Sequence, residues 1–281
     1  MILLLAGTSD AKELAFTLHS NDYSVMASVS HKNAATDYIN ENIPVRIGPL
    51  DSTAMTVLIK EKNIQIVADA THPFAEIASQ NAIQAAKDAN VPYIRYERPS
   101  TEIKEEVQNG SDLFITDSYR QCVVQTEELI QQKQKQKSTL DHGREGDKEP
   151  GKCVIMLTTG TKNLEMFTGA FLKQENVEIV ARVLPRSESI LECERLGVKQ
   201  SSIVAIQGPF SEEMNHLLLE KYKVDILVTK ESGKEGSTVE KIKAALGLGI
   251  QVVLISRPKL QYENVFHTKD AILTEIKNIT K

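Results

Sequence analysis

An internal duplication is the feature of this sequence that most restricts its fold. Five landmarks of the first half return in the same order in the second half. The first landmark is an apolar run that ends in Gly-Thr, and it contains Gly7 in one copy and Gly160 in the other. Gly7 lies 107 residues before Phe114 of the fifth landmark, and Gly160 lies 106 residues before Phe266. The two copies therefore have nearly the same length.

The other four landmarks are turns and short apolar runs. They occupy residues 48–51 and 208–211, 64–71 and 224–232, 91–99 and 250–258, and 113–116 and 265–268. The first of these pairs is a Gly-Pro step that predicts a turn followed by a helix N-cap. The second is apolar until its C-terminal end, which is typical of a buried parallel strand. Helical patterns between the runs, such as 81–89 and 238–246, provide the crossover connections that parallel strands need.

These patterns predict an α/β protein with two Rossmann-like parallel-sheet domains related by internal duplication. We place the first domain at residues 1–130 and the second at residues 153–281. The stretch between them, 131–152, is nearly devoid of apolar residues and is predicted to be a hydrophilic linker or insertion. Because the last strand of the first half directly precedes this stretch, an exchange of terminal strands between the two sheets stays open.

Composition excludes several classes of function. The 33 basic and 38 acidic residues are mixed along the chain and give a net charge of −5, so no basic field is available for nucleic acid. No apolar run approaches the roughly 20 residues of a membrane span, and we expect a soluble, cytoplasmic protein. Three cysteines without CxxC spacing predict packing residues, and six scattered histidines predict no metal site.

The turn after the first apolar run is a candidate phosphate site. Gly7 permits a tight turn, Thr8 and Ser9 carry hydroxyl groups, and a helix predicted over 11–19 directs its positive end toward the turn. The G-x-G-x-x-G fingerprint is incomplete, because Ser9 stands where the second glycine belongs. A glycine that serves only the turn is the alternative.

The segment 69–75, Asp-Ala-Thr-His-Pro-Phe-Ala, concentrates polar groups at one strand end. Asp69, Thr71 and His72 follow a buried run, just before a proline that can open a helix. Ligands of parallel sheets bind at such ends. His72 can exchange a proton near neutral pH, and the alternative is a structural hydrogen bond to backbone.

The second half places cations where its strands end. They are Lys162, Arg182, Arg186, Lys230, Lys234 and Arg257. Solvated surface is the alternative for each one, but their convergence on one rim predicts a ligand with several anionic groups. Arginine suits carboxylates because it binds them bidentately.

Taken together, these motifs resemble the precorrin-6A reductases of cobalamin biosynthesis, including the cobalt-precorrin-6A reductases. The resemblance runs the length of the chain. It rests on Gly-Thr-Ser-Asp-Ala at 7–11, the distinctive segment 69–75, Pro-Tyr at 92–93, Arg-Pro at 98–99, Thr-Thr-Gly at 158–160, Gly-Pro-Phe at 208–210, Thr-Lys-Glu-Ser-Gly at 229–233 and Arg-Pro at 257–258. The family often opens with two glycines where this chain has Ala6-Gly7, and with a longer acid where it has Asp10.

The resemblance implies an oxidoreductase that transfers hydride from NADH or NADPH to a tetrapyrrole, converting precorrin-6A or its cobalt form to the 6B level. The first domain would bind the dinucleotide through Gly7, Thr8, Ser9, Asp69, Thr71 and His72. The second would bind substrate carboxylates through Lys162, Arg182, Arg186, Lys230 and Lys234. His72 or solvent would donate the proton, and neighbouring enzymes of the pathway are candidate partners.

Some choices stay open at this level. No residue after the second predicted strand decides between NADH and NADPH, and a macrocycle that brings its own metal asks no ligand of the protein. Two other functions would share the phosphate turn and the cationic rim. One is a two-domain α/β transferase, and the other is a non-catalytic sensor that binds an anionic ligand in the interdomain cleft.

Overall fold

The structure is a computed structural model that describes residues 1–99, 112–141, 152–233 and 236–280, with backbone only at 136–141. The strands are β1 (Ile2–Leu5), β2 (Val25–Val29), β3 (Val45–Ile47), β4 (Ile66–Asp69), β5 (Tyr93–Tyr96), β6 (Leu113–Thr116), β7 (Cys153–Leu157), β8 (Val177–Val183), β9 (Ile203–Ala205), β10 (Ile226–Lys230), β11 (Gln251–Ile255) and β12 (Val265–Phe266). The α-helices are α1 (Ser9–Ser20), α2 (Thr36–Asn40), α3 (Ser52–Glu61), α4 (Glu76–Ala89), α5 (Tyr119–Asp141), α6 (Leu164–Phe171), α7 (Ser187–Arg195), α8 (Glu212–Lys221), α9 (Thr238–Gly247) and α10 (Lys269–Ile279). Short 3₁₀ turns lie at Lys32–Ala34 and Gln200–Ser202.

The strands form two parallel sheets of six strands each. Their orders are β12-β5-β4-β1-β2-β3 and β6-β11-β10-β7-β8-β9. Corresponding strands of the two halves occupy corresponding places, which confirms the predicted α/β fold with two duplicated parallel sheets. Each sheet takes one of its two edge strands from the other half of the chain: β6 pairs with β11, and β12 pairs with β5. The exchange of terminal strands is thus present.

This exchange makes the compact units discontinuous in sequence. Unit 1 comprises Met1–Pro99 and Pro258–Lys281, and unit 2 comprises Ser100–Arg257. The units therefore divide the chain at different points from the predicted boundaries at 130 and 153. The physical reason is the hydrogen bonding of the edge strands. β6 belongs to the first half in sequence but pairs with β11 of unit 2, and β12 belongs to the second half but pairs with β5 of unit 1.

The predicted hydrophilic linker, 131–152, begins inside a helix. The backbone of α5 stays helical to Asp141, so residues 131–141 are helix rather than linker. Gln, Lys and Leu have high helix propensity, and the first glycine of this stretch comes only at position 143. Residues 142–151 lie outside the described part of the chain.

The core explains why the first strand is apolar without alternation. Side chains of a strand point alternately to opposite faces of the sheet. Ile2 and Leu4 pack with α1 and α10 on one face of unit 1, whereas Leu3 and Leu5 pack with α3 and α4 on the other. A strand covered on both faces is apolar throughout. Within the described residues, no helix has the length and apolar character needed to cross a membrane.

Candidate active site

The turn between β1 and α1 has a backbone that a ligand can approach closely. Gly7 has a φ of +136°, a conformation that favours glycine, and a Cβ placed there would meet no atom within 4 Å. The turn thus leaves open space directly before the N-terminus of α1. The amides in the first turn of a helix have no intrahelical partner and attract anions.

The two hydroxyl groups of this turn have different roles. Thr8 is the N-cap of α1: its Oγ1 accepts a hydrogen bond from the amide of Ala11 at 3.1 Å and donates one to the carbonyl of Ala70 at 3.2 Å. The Thr8 hydroxyl is therefore engaged in joining α1 to the end of β4. Ser9 is exposed, and its hydroxyl makes no hydrogen bond within the described residues. Of the two predicted phosphate donors, Ser9 alone has its hydroxyl available.

Asp69 lies at the centre of a buried polar network. The side chain is fully buried, and its Oδ1 lies 2.8 Å from Nη1 of Arg95, also buried. The hydroxyl of Tyr93 donates to Asp69 Oδ2 at 2.8 Å, and the amide of Thr71 donates to Oδ1 at 2.9 Å. Burial beside this carboxylate raises the pKa of Tyr93. The buried carboxylate of Asp69 therefore holds Arg95 and Thr71 in position.

Arg95 connects this network to the strand end above it. Its Nη1 donates to Thr71 Oγ1 at 3.0 Å, and its guanidinium lies 5.0 Å from the ring centroid of Tyr262. Nη2 of Arg95 is buried and has no hydrogen-bond partner in the described part of the chain. A small cavity adjoins these groups, lined among others by Thr8, Thr71 and Arg95. Thr8 of the β1–α1 turn and Thr71 after β4 thus line one cavity in unit 1.

His72 is held by a backbone contact. Its Nδ1 accepts a hydrogen bond from the amide of Phe74 at 3.2 Å, which places the proton of the neutral ring on Nε2. The carbonyl of His72 accepts from the amide of Ala75 at 2.8 Å, forming a turn. Because of this turn, α4 begins at Glu76 instead of at Pro73, where the sequence suggested a start.

Unit 2 contains a corresponding glycine turn with cations near it. Gly160 has a φ of +81°, and a Cβ there would also meet no atom within 4 Å. Lys162 is exposed after this turn. Burial and the charge of Lys162 lower the pKa of Lys230 to about 8, so these two lysines lie close together.

The remaining predicted cations of unit 2 have different surroundings. Arg182 is buried on β8, and Arg186 is half-buried at the start of α7. Lys234 lies outside the described residues. Arg257 forms an ion pair with Glu231 at 3.3 Å, so its charge is compensated by the protein. Among the predicted cations, Lys162, Arg182 and Lys230 are therefore the best candidates for binding an anionic ligand.

Comparison with known proteins gives one consistent result. The sequence profile described as "Precorrin-6x reductase CbiJ/CobK" matches residues 1–277. The chain belongs to this reductase family. The cobalt-precorrin-6A reductase of Priestia megaterium is 41% identical over 281 residues, which cover all of both chains. The cobalt-precorrin-6A reductase of Methanocaldococcus jannaschii is 31% identical, over 99% of this chain and 98% of its own.

A solved structure supports the fold of this family member. The structure of "CobK precorrin-6A reductase" superposes with a TM-score of 0.72 at 21% identity, over 99% of this chain and 96% of the other. At that identity the likeness concerns the fold. The family predicted from the sequence motifs and the predicted oxidoreductase class are confirmed.

Sequence reasoning missed two buried cations of this reductase. Arg95 lies within a landmark of the sequence, and it alternates with Tyr93 on β5 and with Glu97 directly after the strand, a spacing that places the three side chains on one face. Lys241 on α9 is buried too, although it does not follow a predicted strand as the other candidate cations do. It occupies the same helix face as the buried residues Thr238, Ile242 and Ala245, a spacing visible in the sequence.

Proposed function

We propose that this chain reduces cobalt-precorrin-6A, or its metal-free counterpart precorrin-6A, to the corresponding 6B compound with NADH or NADPH as the reductant. The observation that carries the proposal is the full-length match, at 41% identity, to a relative named cobalt-precorrin-6A reductase. The same match favours the cobalt-containing substrate. It also favours a reductase over the transferase and the sensor that the sequence left open.

We assign the dinucleotide to unit 1 because the β1–α1 turn fits a phosphate. Gly7 leaves space for a close approach to its backbone, the first turn of α1 presents amides, and the Ser9 hydroxyl is available. Thr8 would contribute its backbone, since its hydroxyl caps α1. A bound nicotinamide would supply the hydride for reduction of a double bond.

Thr71 and His72 lie on the loop that follows β4 and are assigned to the same ligand. Asp69 is assigned a positioning role, since its oxygens already bind Arg95, Tyr93 and the Thr71 amide. Reduction of a double bond also requires a proton for the second carbon. His72 remains the candidate donor beside solvent, and it would donate this proton in its imidazolium form.

We assign the macrocycle to unit 2, whose cations suit a ligand with several carboxylates. Lys162, Arg182, Arg186 and Lys230 are its proposed contacts, and Lys234 keeps this role as a prediction. The buried Arg182 carries most weight among them. Its guanidinium donates to the neutral Asn215 at 2.8 Å, and no carboxylate of the described residues pairs with it. A substrate carboxylate would provide the missing counter-charge.

Anaerobic turnover tests the proposed reaction. The full chain is incubated with NADH or NADPH and with precorrin-6A or its cobalt complex, and loss of the nicotinamide absorbance is followed. We expect oxidation of one dinucleotide per macrocycle, fastest with the cobalt complex. Absence of oxidation in all four combinations would refute the reductase assignment. Tight binding of both ligands without oxidation would instead indicate the sensor.

A further inference from the structure

Unit 2 contains a buried lysine that the proposed contacts do not use. Lys241 lies in the first turn of α9 and is 5% exposed. Its backbone amide donates to the carbonyl of Ser237 at 3.1 Å, but within the described residues its ammonium group forms neither a hydrogen bond nor an ion pair. Burial of an ammonium group without a partner is costly, and the positive end of the helix dipole adds to the cost. A bound anion would stabilise the charged form of such a lysine.

Two further cations surround Lys241. Arg182 is 8% exposed on β8, and Lys230 ends β10. Burial, together with the charges of Arg182 and Lys230, lowers the pKa of Lys241 to about 7, while Glu240 on the same helix opposes this effect. Contacts bring the three elements together: Arg182 lies against the ring of Phe210, whose amide donates to Ser237 just before α9, and Thr238 of α9 donates to the Lys230 carbonyl at 3.5 Å. Among the described residues, Glu240, which is next to Lys241 in the chain, is the only acid with a resolved effect on the pKa of Lys241.

Arg182 is held in a defined orientation by neutral groups. Its Nη1 donates to Asn215 Oδ1 at 2.8 Å, and its guanidinium carbon lies 4.8 Å from the ring centroid of Phe210. A guanidinium has five N–H donors, so this contact leaves most of them for another acceptor. The aromatic ring fixes the plane of the group without neutralising its charge.

Hydrogen bonds between the loops keep these elements in place. The amide of Phe210 donates to Ser237 Oγ at 3.1 Å, and Ser237 immediately precedes α9. The amide of Ser232 donates to Thr238 Oγ1 at 3.1 Å, which joins the end of β10 to the first residue of α9. Ser237 has a φ of +48°, a strained conformation for a serine that such contacts maintain. The cations are therefore preorganised.

We propose that Arg182, Lys230 and Lys241 form a single anion site in unit 2, that this site receives one carboxylate of the tetrapyrrole, and that Lys241 is a specificity-determining residue. The inference rests on the proposed function for the identity of the ligand. A phosphate of the dinucleotide shares the same chemistry, and the experiment separates the two sources.

Binding of uroporphyrin, a stable tetrapyrrole with carboxylate side chains, tests the site without turnover. The full-chain protein, Lys241→Met and the control Lys243→Met are titrated with uroporphyrin and, separately, with NADPH. Lys243 lies on the same helix and is exposed. We expect Lys241→Met to weaken porphyrin binding by at least about tenfold and to leave NADPH binding unchanged. Lys243→Met should change neither affinity by more than about twofold.

Three outcomes would overturn the proposal. They are unchanged porphyrin affinity in Lys241→Met, an equal loss of NADPH affinity, which would assign the site to a phosphate, and failure of the wild-type chain to bind the porphyrin. Melting temperatures check that the variant folds, and Lys241→Gln replaces it if the methionine is not accommodated. Turnover by the wild-type chain is measured independently, so failure of this site leaves the reductase assignment standing.

Discussion

At the scale of single residues, Gly7 and Gly160 permit a matched test of the dinucleotide site. Both have a positive φ, and a Cβ at either would meet no atom within 4 Å. Alanine at each should therefore strain the backbone, by about 1–3 kcal/mol. Only Gly7→Ala should also weaken NADPH binding, by about tenfold or more, because its Cβ would occupy the space of a phosphate. Calorimetric titration of both variants measures this difference.

The control in this comparison is Gly160→Ala, which carries the strain but lies in unit 2. Similar NADPH affinities for Gly7→Ala and the wild-type chain would contradict the placement of the phosphate at the β1–α1 turn. Losses of the same size in both variants would point to a general effect of strain.

The residues of the site were only partly predictable. The position of Asp69 at a strand end was visible in the sequence, but its role depends on Arg95 and Tyr93, which belong to the neighbouring strand β5. Sequence periodicity shows which face a residue occupies, and it does not show which strand lies beside it. The same reason explains Thr8, whose hydroxyl is engaged by the carbonyl of Ala70, 62 residues away.

At the scale of secondary structure, the exchange of β6 and β12 gives a prediction about which fragment folds. Residues 100–257 contain all six strands of the second sheet, whereas residues 153–281 lack β6 and α5. We expect fragment 100–257 to fold cooperatively, because its core is complete. Fragment 153–281 should unfold at a much lower temperature, since loss of β6 leaves β11 at an uncovered edge. Circular dichroism during heating compares them.

A cooperative transition in 153–281, with none in 100–257, would contradict the exchange. This test matters because the sequence alone does not distinguish exchanged terminal strands from unexchanged ones. The fifth landmarks of the two halves, 113–116 and 265–268, are both short apolar runs followed by a helix, and either suits the outer position of either sheet. The duplication predicted the order of the strands. Long-range pairing, to which local pattern is insensitive, determined the partner of each outermost strand.

At the scale of the whole molecule, the buried cations of unit 2 should make stability depend on pH. The pKa of Lys241 is lowered to about 7 from 10.5, by burial and by Arg182 and Lys230. Between these values the unfolded chain binds a proton that the folded chain does not hold. Raising the pH through this window therefore stabilises the folded protein, by at most about 1.4 kcal/mol per pH unit for one such group.

Other groups act in the opposite direction at higher pH. Burial raises the pKa of Cys122 from 9.0 to about 12, so the folded chain keeps a proton that the unfolded chain releases, and stability falls as the pH rises above 9.0. Both proteins contain Cys122, so its contribution cancels when the free energy of unfolding of Lys241→Met is compared with that of the wild-type chain. Urea unfolding from pH 6 to 10 measures that difference.

We expect Lys241→Met to be the more stable protein near pH 7 and below, and its advantage to shrink as the pH rises toward 10. The sign follows from the cost of a buried charge, which the variant never carries and which the wild-type chain loses by deprotonation. A bound porphyrin should shrink the same advantage at pH 7, because its carboxylate compensates the charge in the wild-type site. An advantage that is independent of both pH and porphyrin would show that Lys241 affects stability through packing alone.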